Sequence, residues 1–277
     1  MTPASFLKRA LVGQVRAVFN DQARGETPVV RRPDGLFGPQ SVAWRVHGDL
    51  ITMMVGGVTA LLLQMLHPAV LAGVWDHSTF RSDMLGRLRR TARFIAVTGY
   101  DSREAAEAAI EKVREVHTRV HGILPDGTPY AADDPRLLAW VHVTEATSFL
   151  GAWIRYAEPR MSAADQDRYF AEFAIIAEAL GADPIPRTRF EAEMLIADLR
   201  GELFADTRTR EVARMVLTQP APNLAVKPIQ DMIFQAAVDL LPDWAREMHG
   251  LSGPGLAKPV VRAGTRGAAG MMRWAFS

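Results

Sequence analysis

The chain contains no cysteine, and its 277 residues include only seven histidines and four tyrosines. Without cysteine there is no disulfide framework, no thiolate-bound zinc, no iron–sulfur cluster and no thiol nucleophile. A metal would have to sit on histidine, aspartate, glutamate or a cofactor ring. A surplus of charge is missing too: 32 basic and 31 acidic side chains leave a net charge of +1, without the basic excess that marks a nucleic-acid partner. Glycine-rich phosphate loops are absent, with neither GxGxxG after a strand nor GxxxxGK[ST]. No HExxH and no paired ExxH motif occurs, so a di-iron carboxylate bundle has no support. The amino terminus, "MTPASFLKRALVGQVRAVF", lacks the unbroken apolar stretch of a signal peptide, and a cytoplasmic location is the default expectation.

What is present is apolar and helical. Hydrophobic residues make up 48% and charged residues 23% of the chain, as in a globular protein able to bury a large core. Helical periodicity predominates and strand alternation is weak. The expected class is all-α: a single helical domain with its core over about 40–240, an N-terminal arm over 1–39 and a loosely specified C-terminal tail over 250–277. Predicted helices cover Ala4–Phe19, Gln40–Leu50 (capped by Ser41), Asp83–Thr98 (capped by Ser82) and Ser102–Gly122, the last closed by Gly122. Others run from Pro135 behind an Asp134 cap to Tyr156, from Ala163 to Leu180, and over Arg187–Phe204, Thr207–Leu217, Pro228–Leu240 and Pro242–Met248. The 17-residue uncharged run Leu50–Leu66 sits at the lower limit of a membrane span. It reads as a buried central helix, with a membrane-contacting helix as the alternative.

The segment "EKVREVHTRVHG" places His117 and His121 one helical turn apart. Each residue turns about 100°, so Ala106, Ile110, Val113 and Val120 fall within roughly 60° of His117. His117 thus faces the core and His121 its margin. A packed core histidine, a cofactor ligand and a two-histidine metal pair are all compatible with this spacing, and no carboxylate shares the face. His142 is also directed inward, with Glu145 near the same face as an orienting group or base. On "DMLGRLRRTARF" the apolar face carries Arg87 and Thr91, with Arg90 at its edge. A buried guanidinium needs an anion: a carboxylate such as Asp76, Asp83 or Glu145, or an anionic ligand. His67–Pro68 reads as a helix-ending turn, and Asp76–His77–Ser78 as turn and capping chemistry.

Taken together, "ALLLQMLHPAVLAGVWDHSTFRSDMLGRLRRTARF", "VREVHTRVHG" and "YAADDPRLLAWVHVTEA" resemble the mpaB-type and rubber-oxygenase catalytic domain, the family of latex-clearing proteins and a fungal membrane-bound oxygenase. The resemblance spans roughly residues 40–240. It implies a globin-like helical core holding haem b non-covalently, with a helix-borne histidine on the iron. That role carries over to His117, with His142 as second choice. The family's Arg-x-x-Lys-Thr run corresponds to Arg87-Leu88-Arg89-Arg90-Thr91, where arginine replaces the distal lysine. The resemblance therefore implies a haem-dependent oxygenase or peroxygenase using dioxygen or peroxide on a hydrophobic small molecule. Arg87, Arg90 and Thr91 are its candidate catalytic residues, and His117, His142, Arg87 and Arg90 its cofactor-binding ones. A non-catalytic haem or gas-binding protein and a cofactor-free helical lipid- or partner-binding protein are the alternatives. Membrane-surface association and a homo-oligomer stay open.

Overall fold

The computed structural model describes Lys8, Gly13, residues 27–224 and residues 226–276. Apart from Lys8 and Gly13, the helix expected over Ala4–Phe19 lies outside the described residues, as does most of the N-terminal arm. The rest is predominantly all-α. The helices are α1 (Val42–His47), α2 (Leu50–Gln64), α3 (Pro68–His77), α4 (Met84–Tyr100), α5 (Arg103–His117), α6 (Pro135–Tyr156), α7 (Ala163–Leu180), α8 (Arg189–Leu199), α9 (Thr207–Leu217), α10 (Lys227–Leu240), α11 (Asp243–His249) and α12 (Lys258–Phe276). A small antiparallel ribbon, β1 (His121–Ile123) with β2 (Pro129–Ala131), interrupts them between α5 and α6.

The uncharged run forms α2, and ten of its fifteen residues are buried. It packs most extensively against α6. The close crossing rests on Gly56: a Cβ there would lie 2.8 Å from Phe149 Cδ1, 2.9 Å from Phe149 Cα and 3.0 Å from the Ser148 carbonyl. Small residues let two helix backbones approach, and a methyl group here would have to displace backbone. At the far end the chain turns by 104° into α3. Helix-terminal carbonyls need outside donors, and α2 finds them. His249 Nε2 meets the Leu62 carbonyl at 2.9 Å, Trp140 Nε1 donates to Gln64 O, and the Phe204 amide donates to Leu66 O. Pro68 then opens α3, with His67 as an uncommon N-cap whose Nδ1 accepts from the Ala69 amide. Among the described residues no single helix is long and apolar enough to cross a membrane.

Three packing layers surround this pair. On one side α6, α7 and α8 build the main core around Trp140, Phe149, Tyr169 and Phe170. On another, α10 and α12 bury Ile233, Val261 and Met272 against Ile51 and Val55 of α2. Leu61 and Met65 meet α3, α4 and α9 through Leu71, Phe80, Met84 and Val212.

Local signals place most boundaries. Ser41, Ser102, Asp134 and Ser162 cap their helices as expected, and Gly181 closes α7 at φ 92°. Four expectations are corrected. The cap of α4 is Asp83, whose carboxylate accepts from the Gly86 amide at 2.8 Å, rather than Ser82. The α5 helix stops at His117 instead of running to Gly122. The chain then turns into β1 because the Asp126-Gly127 turn, with φ 90° at Gly127, pairs Gly122 with Tyr130. The Arg187–Phe204 helix is shortened to Arg189–Leu199, with a 3₁₀ turn beyond. Finally, the glycine- and alanine-rich tail is an ordered helix, α12, whose small residues Thr265, Ala268 and Ala269 seat it on the core.

Gly56→Ala is expected to lower stability by about 1–3 kcal/mol through overpacking, outweighing the roughly 1 kcal/mol that alanine gains as a helix former. Gly57→Ala, where the nearest neighbour is Phe149 Cε1 at 3.8 Å, is the control and should be neutral or stabilising. Thermal unfolding of the two variants checks this.

Candidate functional site

The site region begins with a helical hairpin. The α4 and α5 helices pack on each other and are joined by only Asp101 and Ser102. Counting equal numbers of residues from that turn puts Arg87 and His117 at the same level, roughly 20 Å along the axis. Near the turn the hairpin is well packed: Thr98, Gly99 and Tyr100 are buried, and Tyr100 donates to the Trp44 carbonyl at 2.9 Å. Away from it burial is only partial, although Phe94 and Ile95 pack against the main core and Leu88 against the α3–α9 cluster. None of the thirteen residues from Leu85 to Val97 reaches full burial, although Leu85, Leu88, Phe94, Ile95 and Val97 are apolar. On α5 only Ala106 and Ile110 are buried, while Val113 and His117 on the same stripe are half-buried. An amphipathic helix normally hides its apolar stripe completely. Here both stripes stay partly exposed.

Two polar side chains stand at that end without partners among the described residues. Arg87 keeps some accessible surface, yet it is hemmed in deeply enough that desolvation lowers its pKa, with repulsion from Arg90 adding to the effect. Partial burial among the apolar neighbours of α4 keeps water from part of the guanidinium. None of the carboxylates weighed for Arg87 meets it: Asp83 caps α4 and pairs with Arg90 at 3.5 Å, Asp76 accepts from Tyr130 at 3.1 Å, and Glu145 lies beside Gln64. The His117 ring likewise has no hydrogen bond or ion pair among the described residues. Burial lowers its pKa, with the Asp133 charge opposing, so it is neutral at pH 7. A neutral unpaired imidazole suits a metal centre, and a desolvated unpaired cation suits an anionic group.

The remaining candidates separate. Arg90 points outward, exposed, with Nη2 on Thr79 Oγ1 at 3.2 Å. Thr91 is also exposed, its hydroxyl donating to the Arg87 carbonyl at 3.3 Å. His121, read as the helical neighbour of His117, lies instead on β1 and is exposed. The two therefore do not share a helix face. Among the described residues no group of three or more histidine, aspartate or glutamate side chains is arranged for a metal ion.

A second polar constellation lies in the main core between α1, α6 and α7, and sequence reasoning captured only part of it. His142 is 6% exposed and stands against Phe173, ring centres 5.1 Å apart, with Nε2 unpartnered. Phe173 also contacts His47 of α1, whose Nε2 meets the Tyr169 hydroxyl at 2.9 Å. Burial pushes His142 down to about 4 and His47 to about 3, so both rings are neutral at ordinary pH. Glu145, one turn beyond His142, is pushed up to about 7 by desolvation, with the Gln64 amide acting the other way. The Tyr169 hydroxyl is raised by its own burial and by the Glu145 charge. His47 and Tyr169 escaped the sequence reading because they come from helices 122 residues apart. A buried histidine in the short α1 carries no local signal of its partner.

These groups set a pH profile for stability. The two histidines have folded pKa values below their unfolded ones, so their contribution is lost as pH falls from about 6.5 toward 3. Glu145 is shifted the other way, so its contribution falls as pH rises from about 4.5 to about 7. Between about pH 4.5 and 6.5 the two histidines outweigh Glu145 by one proton, so stability should rise with pH and level off near pH 7. Glu145→Gln should steepen that rise by roughly 1.4 kcal/mol per pH unit, and urea unfolding as a function of pH checks it.

Residues 44–274 match the protein family described as "ER-bound oxygenase mpaB/B'/Rubber oxygenase, catalytic domain". No curated protein and no solved structure matches the chain.

Proposed function

The chain belongs to the mpaB/rubber oxygenase catalytic-domain family, and on that premise we propose that it is a haem b-dependent oxygenase or peroxygenase acting on a hydrophobic small molecule. The observation that supports this reading is that His117 and Arg87, on the two arms of the α4–α5 hairpin, have no hydrogen-bond or ion-pair partner among the described residues and stand beside half-buried apolar side chains. A haem needs a neutral imidazole, cationic donors for its carboxylates and apolar walls for its ring. The residues present fit that need. His117 would hold the iron through a ring nitrogen, Arg87 would supply charge, and Leu88, Phe94, Ile95 and Val113 would give the walls. The globin-like core belongs to this proposal, with α4 and α5 as the flanking helices.

When bound, haem supplies the activation of dioxygen or peroxide for oxygen transfer. The chain's own residues do the rest. The desolvated guanidinium of Arg87 presents preorganised N–H donors toward negative charge developing on the oxidant, and preorganisation of this kind strengthens in a water-poor cleft. The Thr91 hydroxyl, spending its proton on the Arg87 carbonyl, fixes the helix backbone there and keeps its lone pairs for an incoming donor. Arg90, paired with Asp83 and Thr79, guards the outer rim. The apolar side chains exclude water and favour an apolar substrate. His142 is the weaker ligand candidate, since its ring is closed in by Phe173 and more deeply buried.

The purified protein should carry haem with a Soret band. His117→Ala should lose most of that haem or shift the band, while His142→Ala should retain both. Arg87→Gln should weaken haem retention, and should lower kcat of the haem-loaded protein roughly a hundredfold. A His117→Ala protein with full haem content and an unchanged spectrum defeats the ligand assignment.

A further inference from the structure

We propose that the junction of α6, α10 and α12, away from the α4–α5 hairpin, is a binding site for a phosphate-class anion. Three cations converge there on one carboxylate. Asp239 of α10, with its side chain 1% exposed, takes Arg262 Nε at 2.7 Å and Arg155 Nη1 at 3.2 Å, with Lys258 Nζ at 3.5 Å. The cluster thus holds a surplus of two positive charges, matching a phosphate monoester near neutral pH.

The Asp239 lock explains why these arms meet but leaves much of their donor capacity unused. Arg262 spends only Nε on Asp239, and Arg155 spends Nη1 on the carboxylate and on the Asp239 carbonyl at 2.8 Å. Among the described residues, both Nη groups of Arg262 and Nη2 of Arg155 have no acceptor. Arginine forks of this kind fit tetrahedral oxyanions. The α12 helix also starts at Lys258, so its positive dipole end adds to the field.

An independent observation points to a ligand. Tyr156, at the end of α6, is 1% exposed, and its hydroxyl has no hydrogen-bond partner. Its charged neighbours are Arg155, Asp239 and Arg262, with the Arg155 side chain close by but outside full hydrogen-bond geometry, which puts the hydroxyl at the same junction. A buried hydroxyl normally finds a partner, and a phosphate oxygen among the three cations would provide one. Leu256, fully exposed, lies two residues before Lys258 and is the apolar side chain available to an acyl chain if the phosphate is a lipid headgroup.

Calorimetric titration of the full chain with inorganic phosphate, and co-sedimentation with phosphatidylcholine vesicles with and without phosphatidic acid, test the site. Tyr156→Phe removes only the unpartnered hydroxyl and should weaken binding about tenfold. Arg262→Gln should weaken it more, and circular dichroism confirms that both variants fold. Saturable binding of free phosphate identifies the free anion. Binding confined to phosphatidic acid vesicles identifies a headgroup. Failure of wild type to bind either, or equal affinity of both variants and wild type, overturns the proposal.

Discussion

The contact between α2 and α6 at Gly56 is the constraint on which the architecture depends. An almost uncharged helix can be hidden only if its neighbours come close all round, and the missing side chain at 56 lets the backbone at Phe149 and Ser148 approach. Once α6 is seated, its inner face carries Trp140, His142, Glu145 and Phe149 into the centre of the molecule. The other helices add layers to this pair, and the carbonyls at the end of α2 are closed by donors from α6, α11 and the segment around Phe204.

That tight centre contrasts with the partly buried far end of the α4–α5 hairpin. Both helices are amphipathic, yet their apolar stripes lose full burial away from the Asp101–Ser102 turn. Partly covered apolar surface and a guanidinium without a counter-ion among the described residues each cost free energy. It is on this combination of Arg87, His117 and half-buried apolar side chains that the proposed cofactor site rests, in a chain of the oxygenase family.

The polar constellation between α1, α6 and α7 shows how burial alone sets protonation. His47 and His142 are held neutral and Glu145 is held near its titration point, without any strong ion pair among the described residues. Charge is concentrated elsewhere, at the Asp239 cluster, where one buried carboxylate ties α6, α10 and α12. The molecule thus separates a neutral interior from a strongly cationic junction on another side.

Helix class, most caps and the burial of His142 were legible in the residues themselves, because capping and the 3.6-residue period are local physics, whereas His117 and Arg87, read as core-facing, are half-buried. The end of α5 was not: His121 looked helical by spacing, and only pairing of Gly122 with Tyr130 across the Asp126-Gly127 turn moved it onto a strand. Nor was α12 legible, since alanine and glycine carry little hydrophobic signal until a neighbouring surface rewards small size. Partnerships such as His47 with Tyr169, Arg90 with Thr79 and Asp239 with Arg262 join distant segments. Which polar groups are satisfied and which are left waiting is therefore decided by tertiary packing alone, because burial and distance are properties of the assembled helices and not of any one of them.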